Sequence, residues 1–150
     1  MNGSNTILLV DDNPDFVQLA KRAFMKSKIV NPIVIAEDGV EALDYLFCTG
    51  VWADREPKEN PVLVLLDLKL PRLDGLDVLA RMRGDPKTKL IPVVVLTTSS
   101  EEQDITKAYA LGCNSYLRKP VDFDRLYEAL QQTGVYWLVF NQSPDPKGAG

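Results

Sequence analysis

Four apolar runs in this chain end in side chains that are suited to metal or phosphate chemistry. The run from Val62 to Leu66 is typical of a strand that is buried on both faces of a sheet, and an acidic residue follows it directly. In an open parallel α/β sheet, ligands bind at the carboxyl ends of the strands. These side chains are therefore predicted to share one site. In chain order they are Asp11 and Asp12, Asp67, Thr97, and Lys119.

Strand and helix patterns alternate along nearly the whole chain, which predicts five βα units. The strands are expected at 6–10, 33–36, 62–66, 92–96 and 115–118. Asn13 is expected to cap the first helix, Ser100 to open a capping box at the fourth, and Asp122 to cap the fifth. Because βα crossovers are right-handed, the chain is predicted to be an α/β protein of flavodoxin-like topology. Its doubly wound parallel sheet would have five strands in the order 2-1-3-4-5, with helices on both faces.

The length of 150 residues fits a single domain, which we place at residues 1–141. A C-terminal extension is expected from about residue 134, and residues 142–150 are expected to form a disordered tail. The polar connector over residues 49–61 is long for an αβ loop and is predicted to be a partly structured insertion. The sequence assigns it no role.

Composition excludes several classes of function. The net charge is −4 and no basic run stands out, so binding to nucleic acid is not expected. The chain contains no histidine, which excludes histidine catalysis and histidine metal ligation on this chain. No apolar stretch reaches membrane-spanning length and no signal pattern opens the chain, so we expect a cytoplasmic protein without a membrane partner. Cys48 and Cys113 are expected to be small buried residues and not a disulfide.

The acidic residues call for a cation, because carboxylates at close quarters repel one another, and Mg²⁺ is the expected ion. The Thr97 hydroxyl and the Lys119 ammonium are suitable donors to phosphoryl oxygens. Asp67 ends the central strand, so it is the expected nucleophile toward phosphorus, and an aspartyl phosphate would form there. Asp11 and Asp12 would hold the metal. Each feature alone has a plainer interpretation, such as helix capping, and the hypothesis depends on their combination.

From about residue 6 to residue 133, the chain resembles the receiver domain of two-component response regulators. The motifs of the resemblance are Asp11-Asp12, Asp67-Leu-Lys-Leu-Pro-Arg-Leu-Asp-Gly75, Thr97-Thr98, and the segment from Leu111 to Pro120. The resemblance implies that Asp67 accepts a phosphoryl group from a phosphohistidine on a sensor histidine kinase. Because no output domain follows, the chain would be a stand-alone response regulator that acts through a changed protein-interaction surface.

The resemblance also implies roles for single residues. The backbone carbonyl of Lys69 would complete the Mg²⁺ shell. Thr97 and Lys119 would contact the phosphoryl oxygens, with help from the Thr98 amide. Thr97 and Tyr116 would form the switch, because inward movement of the threonine leaves space into which the tyrosine rotates.

The match is closer to small response regulators that are paired with bacterial-type phytochrome kinases. The long connector before Asp67, the sequence Leu-Thr-Thr-Ser at 96–99 and the segment Tyr136-Trp137-Leu138 resemble that subgroup. A phytochrome-type kinase and a place in light signalling are therefore expected. The tail departs from the subgroup, because residues 139–144 stand where a Leu-Pro pair usually follows the tryptophan.

The apolar segment 135–140 has two interpretations. It could lengthen the fifth helix and pack on its own domain, or it could be buried against a second subunit or a kinase. We prefer the second interpretation, because receivers commonly pair through helix 4, strand 5 and helix 5, next to this segment. A two-fold homodimer is the simplest assembly. Its candidate interface residues are Tyr136, Trp137, Leu138 and Phe140.

Two other functions are compatible with such a fold. A Mg²⁺-dependent phosphohydrolase with an aspartyl-phosphate intermediate would place a second acid two residues after the nucleophile, where this chain has Lys69. A pseudo-receiver would have the fold without phosphorylation, and the complete residue set argues against it. We therefore expect a switch and not an enzyme. The only reactions that we expect the chain to catalyse are its own phosphorylation and dephosphorylation.

Overall fold

A computed structural model of the chain describes residues 5–26, 29–56, 59–120, 124–126 and 128–129. The strands in these ranges are β1 (Ile7–Val10), β2 (Ile33–Ala36), β3 (Leu63–Leu66), β4 (Val93–Thr97) and β5 (Ser115–Arg118). They pair in parallel as one five-stranded sheet with the order β2-β1-β3-β4-β5. The predicted flavodoxin-like sheet is therefore confirmed.

Helices follow the first four strands along the chain. They are α1 (Pro14–Lys26), α2 (Gly39–Phe47), α3 (Gly75–Arg83) and α4 (Glu102–Ala110), and a 3₁₀ turn covers Gly50–Trp52. Residues 124–126 and 128–129 are also helical. The predicted cap at Asp122, the extension with its residues Tyr136, Trp137, Leu138 and Phe140, and the tail lie outside the described residues. Within the described ranges, no helix has the length and apolar character that crossing a membrane would need.

Side chains of the strands alternate between two apolar layers, one on each face of the sheet. On one face, Leu8, Leu66 and Val95 pack with residues of α2, α3 and α4. On the other, Leu9 and Leu65 pack with residues of α1 and with Leu126. Because both faces of the sheet are covered, the central strands have continuous apolar sequences without polar alternation. Each fully buried aliphatic side chain stabilises the fold by about 1.5–3 kcal/mol, so these layers hold the strand ends in place.

Side-chain caps start three of the helices. The Asn13 side chain accepts hydrogen bonds from the backbone N–H groups of Asp15 and Phe16 at 2.9 and 3.2 Å, which confirms the predicted cap of α1. Asp38 and Asp74 cap α2 and α3 in the same way. All three capping residues lie in loops that follow a strand at the carboxyl edge of the sheet, so they also shape that edge.

The predicted capping box at Ser100 is wrong. Helix α4 begins at Glu102, and Glu101 at its N-cap makes no side-chain capping bond. The Ser99 hydroxyl instead accepts a hydrogen bond from the Glu101 N–H at 3.3 Å and donates one to the Asp104 carboxylate at 2.6 Å. Hydrogen bonds of the preceding residue, Ser99, therefore take the place of the predicted capping box.

Arg55 fastens the described part of the connector to α2. Its guanidinium donates to the backbone carbonyls of Tyr45, Leu46 and Glu59 at 2.8, 3.1 and 2.7 Å. It also lies 4.4 Å from the centroid of the Tyr45 ring, and Trp52 meets that ring edge-on at 4.8 Å. The connector is thus partly structured, as predicted.

The two cysteines differ in their environment. Cys113 is buried, as expected, and burial raises the pKa of its thiol to about 11. Cys48 is only half-buried, which corrects the prediction, because it occupies the C-cap of α2 with a φ of 60°. Both thiols are free, so no disulfide connects them.

A glycine is required where the β3–α3 loop folds back onto the end of β3. The Gly75 N–H donates to the carbonyl of Leu68 at 2.9 Å. A Cβ at Gly75 would lie 2.2 Å from the carbonyl oxygen of Asp67 and 2.7 Å from the Cα of Leu68. Because backbone atoms cannot move aside as a flexible side chain can, this contact fixes the chain that follows Asp67.

Gly75→Ala is expected to lower the free energy of unfolding by about 2–3 kcal/mol, because the added methyl group overlaps backbone. Urea denaturation without divalent ions measures the effect. Gly84→Ala is the matched control, since the nearest atom to its Cβ is the Ala80 carbonyl oxygen at 3.4 Å. Equal stabilities of the two variants would contradict this account of the loop.

Candidate functional site

Parallel register places the acidic residues side by side. Val10 at the end of β1 is the register partner of Leu66 at the end of β3, so Asp11 and Asp67 leave neighbouring strands at the same level. Asp11 and Asp67 are 1% and 6% exposed, whereas Asp12 is exposed. One carboxylate oxygen from each of the three lies within 4.8 Å of the others. The structure therefore brings together the acidic cluster that the sequence predicted.

Lys119 enters this cluster from the end of β5. Its Nζ donates to Oδ2 of Asp11 at 2.7 Å and to Oδ2 of Asp67 at 3.3 Å. The same ammonium lies 4.2 Å from the centroid of the Phe16 ring, which favours a cation over its face. The following peptide bond, Lys119-Pro120, is cis. One ammonium, on a side chain that is 10% exposed, thus bridges two buried carboxylates.

Burial governs the electrostatics of Asp11. Loss of hydration raises the pKa of its carboxyl group, while the hydrogen bonds from Lys119 and from the Asn13 N–H act in the opposite direction. The Asn13 N–H donates to Oδ1 of Asp11 at 2.9 Å, so one carboxylate oxygen contacts backbone and the other contacts the lysine. This arrangement holds Asp11 in one orientation.

Asp67 is held in a similar way. The Lys69 N–H donates to its Oδ1 at 3.2 Å, and its Oδ2 faces Lys119. The side chain lies at the end of the central strand, and Gly75 packs against its backbone. A carboxylate fixed beside an ammonium and two further carboxylates can bind a hard divalent cation or attack an electrophilic phosphorus.

Thr97 and Tyr116 meet through Ser99. The Ser99 N–H donates to Oγ1 of Thr97 at 3.3 Å, and the Tyr116 hydroxyl donates to the Ser99 carbonyl at 3.0 Å. Thr97 is fully buried, whereas Thr98 is exposed. The residues predicted to form a switch therefore contact one loop residue, and their roles remain predictions, as does the metal-binding role of the Lys69 carbonyl.

Several polar contacts near the site were not predicted. Arg72 donates from Nε and Nη2 to the two carboxylate oxygens of Asp38 at 2.9 and 3.2 Å, which joins the β3–α3 loop to the start of α2. Burial is the largest single influence and favours protonation of Asp38, but the hydrogen bonds from Arg72 and from the Glu41 N–H, together with the charge of Arg72, lower its pKa. The Asp104 carboxylate accepts from Ser99 and pairs with Lys69 at 3.3 Å. Only its position in the first turn of α4 could have drawn attention to Asp104.

Lys119→Met is expected to lower the free energy of unfolding without divalent ions by about 2–4 kcal/mol, because it leaves buried carboxylates without their cation. The methionine keeps most of the apolar contact with Phe16. Thermal or urea unfolding measures the loss, and added Mg²⁺ should recover part of it. Lys107→Met is the control, because Lys107 is exposed on α4. A Lys119 variant as stable as the Lys107 variant would contradict this view of the site.

Residues 7–131 match the response regulator receiver domain family. The probable methanogenesis regulatory protein FilR2 of Methanothrix harundinacea (strain 6Ac) is 41% identical over 140 residues, which is 93% of this chain and 88% of that protein. The response regulator Rcp1 of Synechocystis sp. (strain ATCC 27184 / PCC 6803 / Kazusa) is 38% identical over 137 residues, which is 91% of each chain.

Solved structures of response regulators are also similar to this chain. The bacteriophytochrome response regulator AtBRR is 48% identical with a TM-score of 0.80, covering 89% of this chain and 95% of that one. The Mn²⁺-bound form of Rcp1 is 37% identical with a TM-score of 0.75, covering 89% and 94%. The phosphorylated cyanobacterial phytochrome response regulator RcpA is 36% identical with a TM-score of 0.75, covering 93% and 96%. The chain belongs to the response regulator receiver domain family.

Proposed function

We propose that this chain is a stand-alone response regulator that accepts a phosphoryl group on Asp67 from a sensor histidine kinase. The supporting observation is the cluster of Asp11, Asp12 and Asp67 with Lys119 in hydrogen-bond contact. Since the chain lacks histidine, a partner must supply the phosphohistidine.

The acidic cluster fits a hard divalent cation. Its donors are carboxylate oxygens, and the three groups carry more negative charge than Lys119 alone offsets. Asp11, Asp12, Asp67 and the backbone carbonyl of Lys69 would hold Mg²⁺. When bound, the ion would offset negative charge on the phosphoryl group and so weaken its repulsion of the Asp67 carboxylate. A relative crystallised in a Mn²⁺-bound form supports a divalent ion of this kind.

The transfer needs little beyond alignment and charge compensation. A carboxylate oxygen of Asp67 attacks phosphorus, the bond between phosphorus and the imidazole nitrogen breaks, and the electron pair stays with the departing imidazole of the kinase. Lys119 already lies 3.3 Å from Oδ2 of Asp67, so its ammonium is placed to contact the phosphoryl oxygens. The Thr97 hydroxyl and the Thr98 amide complete the set of donors.

The switch would operate through Thr97 and Tyr116. To reach the phosphoryl group, Thr97 Oγ1 must give up the hydrogen bond that it accepts from the Ser99 N–H. The β4–α4 loop then shifts, and Tyr116 loses its present partner, the Ser99 carbonyl. The changed face of α4 and β5 is the output of the protein.

The proposed partner is a phytochrome-type histidine kinase, and the proposed pathway is light signalling. Support comes from the bacteriophytochrome and cyanobacterial phytochrome response regulators among the similar structures. The similarity to a probable methanogenesis regulatory protein makes a histidine kinase of another type the alternative. We also propose one receiver domain over residues 1–141 and a cytoplasmic location. The proposed homodimer forms through the face of helix 4, strand 5 and helix 5 and through the C-terminal extension with Tyr136, Trp137, Leu138 and Phe140.

Incubation with acetyl phosphate and Mg²⁺ is expected to give one phosphoryl adduct that hydroxylamine removes, as for an acyl phosphate, and intact mass spectrometry measures it. Asp67→Asn should abolish the adduct, because it removes the nucleophilic carboxylate, and EDTA should suppress it in the wild type. Asp77→Asn is the control, since Asp77 is an exposed acid in the first turn of α3. An adduct that persists in the Asp67 variant would place the acceptor elsewhere.

A further inference from the structure

Asp104 joins two loops that flank the phosphorylation site. Its Oδ2 accepts a hydrogen bond from the Ser99 hydroxyl at 2.6 Å and lies 3.3 Å from the Lys69 ammonium. Ser99 belongs to the β4–α4 loop, whereas Lys69 belongs to the β3–α3 loop, two residues after Asp67. One carboxylate oxygen on α4 therefore connects the β3–α3 loop, which follows the proposed phosphoacceptor, with the β4–α4 loop, which moves in the proposed switch.

Ser99 is fully engaged in the arrangement seen here. Its N–H donates to Thr97, its carbonyl accepts from Tyr116, and its hydroxyl accepts from Glu101 while donating to Asp104. Three of these contacts are to β4, to β5 or within the loop, and the contact with Asp104 is its link to α4. Displacement of Ser99 therefore has to overcome the bond to Asp104.

We propose that Asp104 is a positioning residue whose contacts with Ser99 and Lys69, here termed the Asp104 latch, hold the β4–α4 loop in its unphosphorylated position. This inference rests on the proposed function. Phosphorylation of Asp67 would weaken the latch, because the phosphoryl group and Asp104 compete for the Lys69 ammonium.

Charge and exposure support this competition. The Lys69 side chain is 60% exposed, so its ammonium can reorient through water, whereas the Asp104 side chain is 13% exposed and keeps its place on the helix. A phosphoryl group carries about −1.5 to −2 charges at neutral pH and attracts an ammonium more strongly than one carboxylate does. The Lys69 backbone N–H already contacts Asp67, so its side chain starts close to the new charge.

The Ser99 hydroxyl donates to the same Asp104 oxygen that faces the Lys69 ammonium. Hydrogen bonds to a carboxylate are charge-assisted, and charge-assisted hydrogen bonds are stronger than neutral ones. Removing the carboxylate should therefore release Ser99 and shift the loop toward the position that a phosphoryl group requires.

The test is binding of beryllofluoride, a phosphoryl mimic, with Mg²⁺ by isothermal titration calorimetry. Asp104→Ala is expected to bind it about 3- to 10-fold more tightly than the wild type, the ratio that corresponds to one lost hydrogen bond. Asp104→Asn keeps an acceptor for Ser99 and should show a smaller gain, and Asp104→Glu should restore wild-type affinity. A variant with a merely damaged fold would bind more weakly.

Glu102→Ala is the matched control, because it removes an exposed acid from the same helical turn. Its affinity should stay within about 2-fold of the wild type, as for an ordinary surface substitution. A second readout does not need the phosphoryl site. Hydrogen exchange at the Ser99 amide, without Mg²⁺ or mimic, should become faster in Asp104→Ala and not in Glu102→Ala.

The outcomes separate the latch from the proposed function. If the wild type binds beryllofluoride and Asp104→Ala binds it equally or more weakly, the latch is overturned while the phosphoryl site stands. If the wild type does not bind the mimic and takes no phosphoryl group from acetyl phosphate, the proposed function fails and the inference falls with it. Tighter binding by Asp104→Ala with faster Ser99 exchange supports the latch.

Discussion

Concentration of negative charge at one edge of the sheet is the constraint on which the site depends. Three carboxylates offer oxygens within 4.8 Å of one another, and two of these residues are buried. Lys119 offsets part of that charge through partners that lie 108 and 52 positions earlier in the chain. The same ion pairs that balance the site therefore join the ends of β1, β3 and β5. A metal ion and a phosphoryl group would enter a site whose backbone is already in place.

The strand ends and the β4–α4 loop hold different parts of the site, and they do so by different interactions. The register of β1 on β3 aligns Asp11 with Asp67, and Gly75 keeps the chain after Asp67 pressed against the strand end. These parts are packed against backbone and apolar layers, which makes them stiff. Hydrogen bonds of Ser99 hold the β4–α4 loop, and such contacts can be exchanged at modest cost. The proposed phosphorylation switch needs this combination: an acidic site held rigidly by packing, and a neighbouring loop whose hydrogen bonds can be replaced.

The sequence predicted the sheet order and the cluster of Asp11, Asp12, Asp67 and Lys119, because strand topology alone brings strand ends together. It failed for side-chain contacts that no local sequence pattern specifies. Ser100 fits a capping box, yet Ser99 bonds to Asp104 and α4 starts at Glu102. The Arg72–Asp38 pair joins residues 34 positions apart, and no periodicity signals it. Such contacts depend on loop conformations that only the packed structure defines.

Chemical trapping of the modified residue tests the central claim most directly. The protein is phosphorylated with acetyl phosphate and Mg²⁺, treated at once with sodium borohydride, digested and mapped by tandem mass spectrometry. Borohydride reduces an aspartyl phosphate to homoserine, so the account predicts homoserine at position 67 and unmodified aspartate at positions 11 and 12. Homoserine at another acidic residue, or a phosphorylated protein that yields none at position 67, would contradict it.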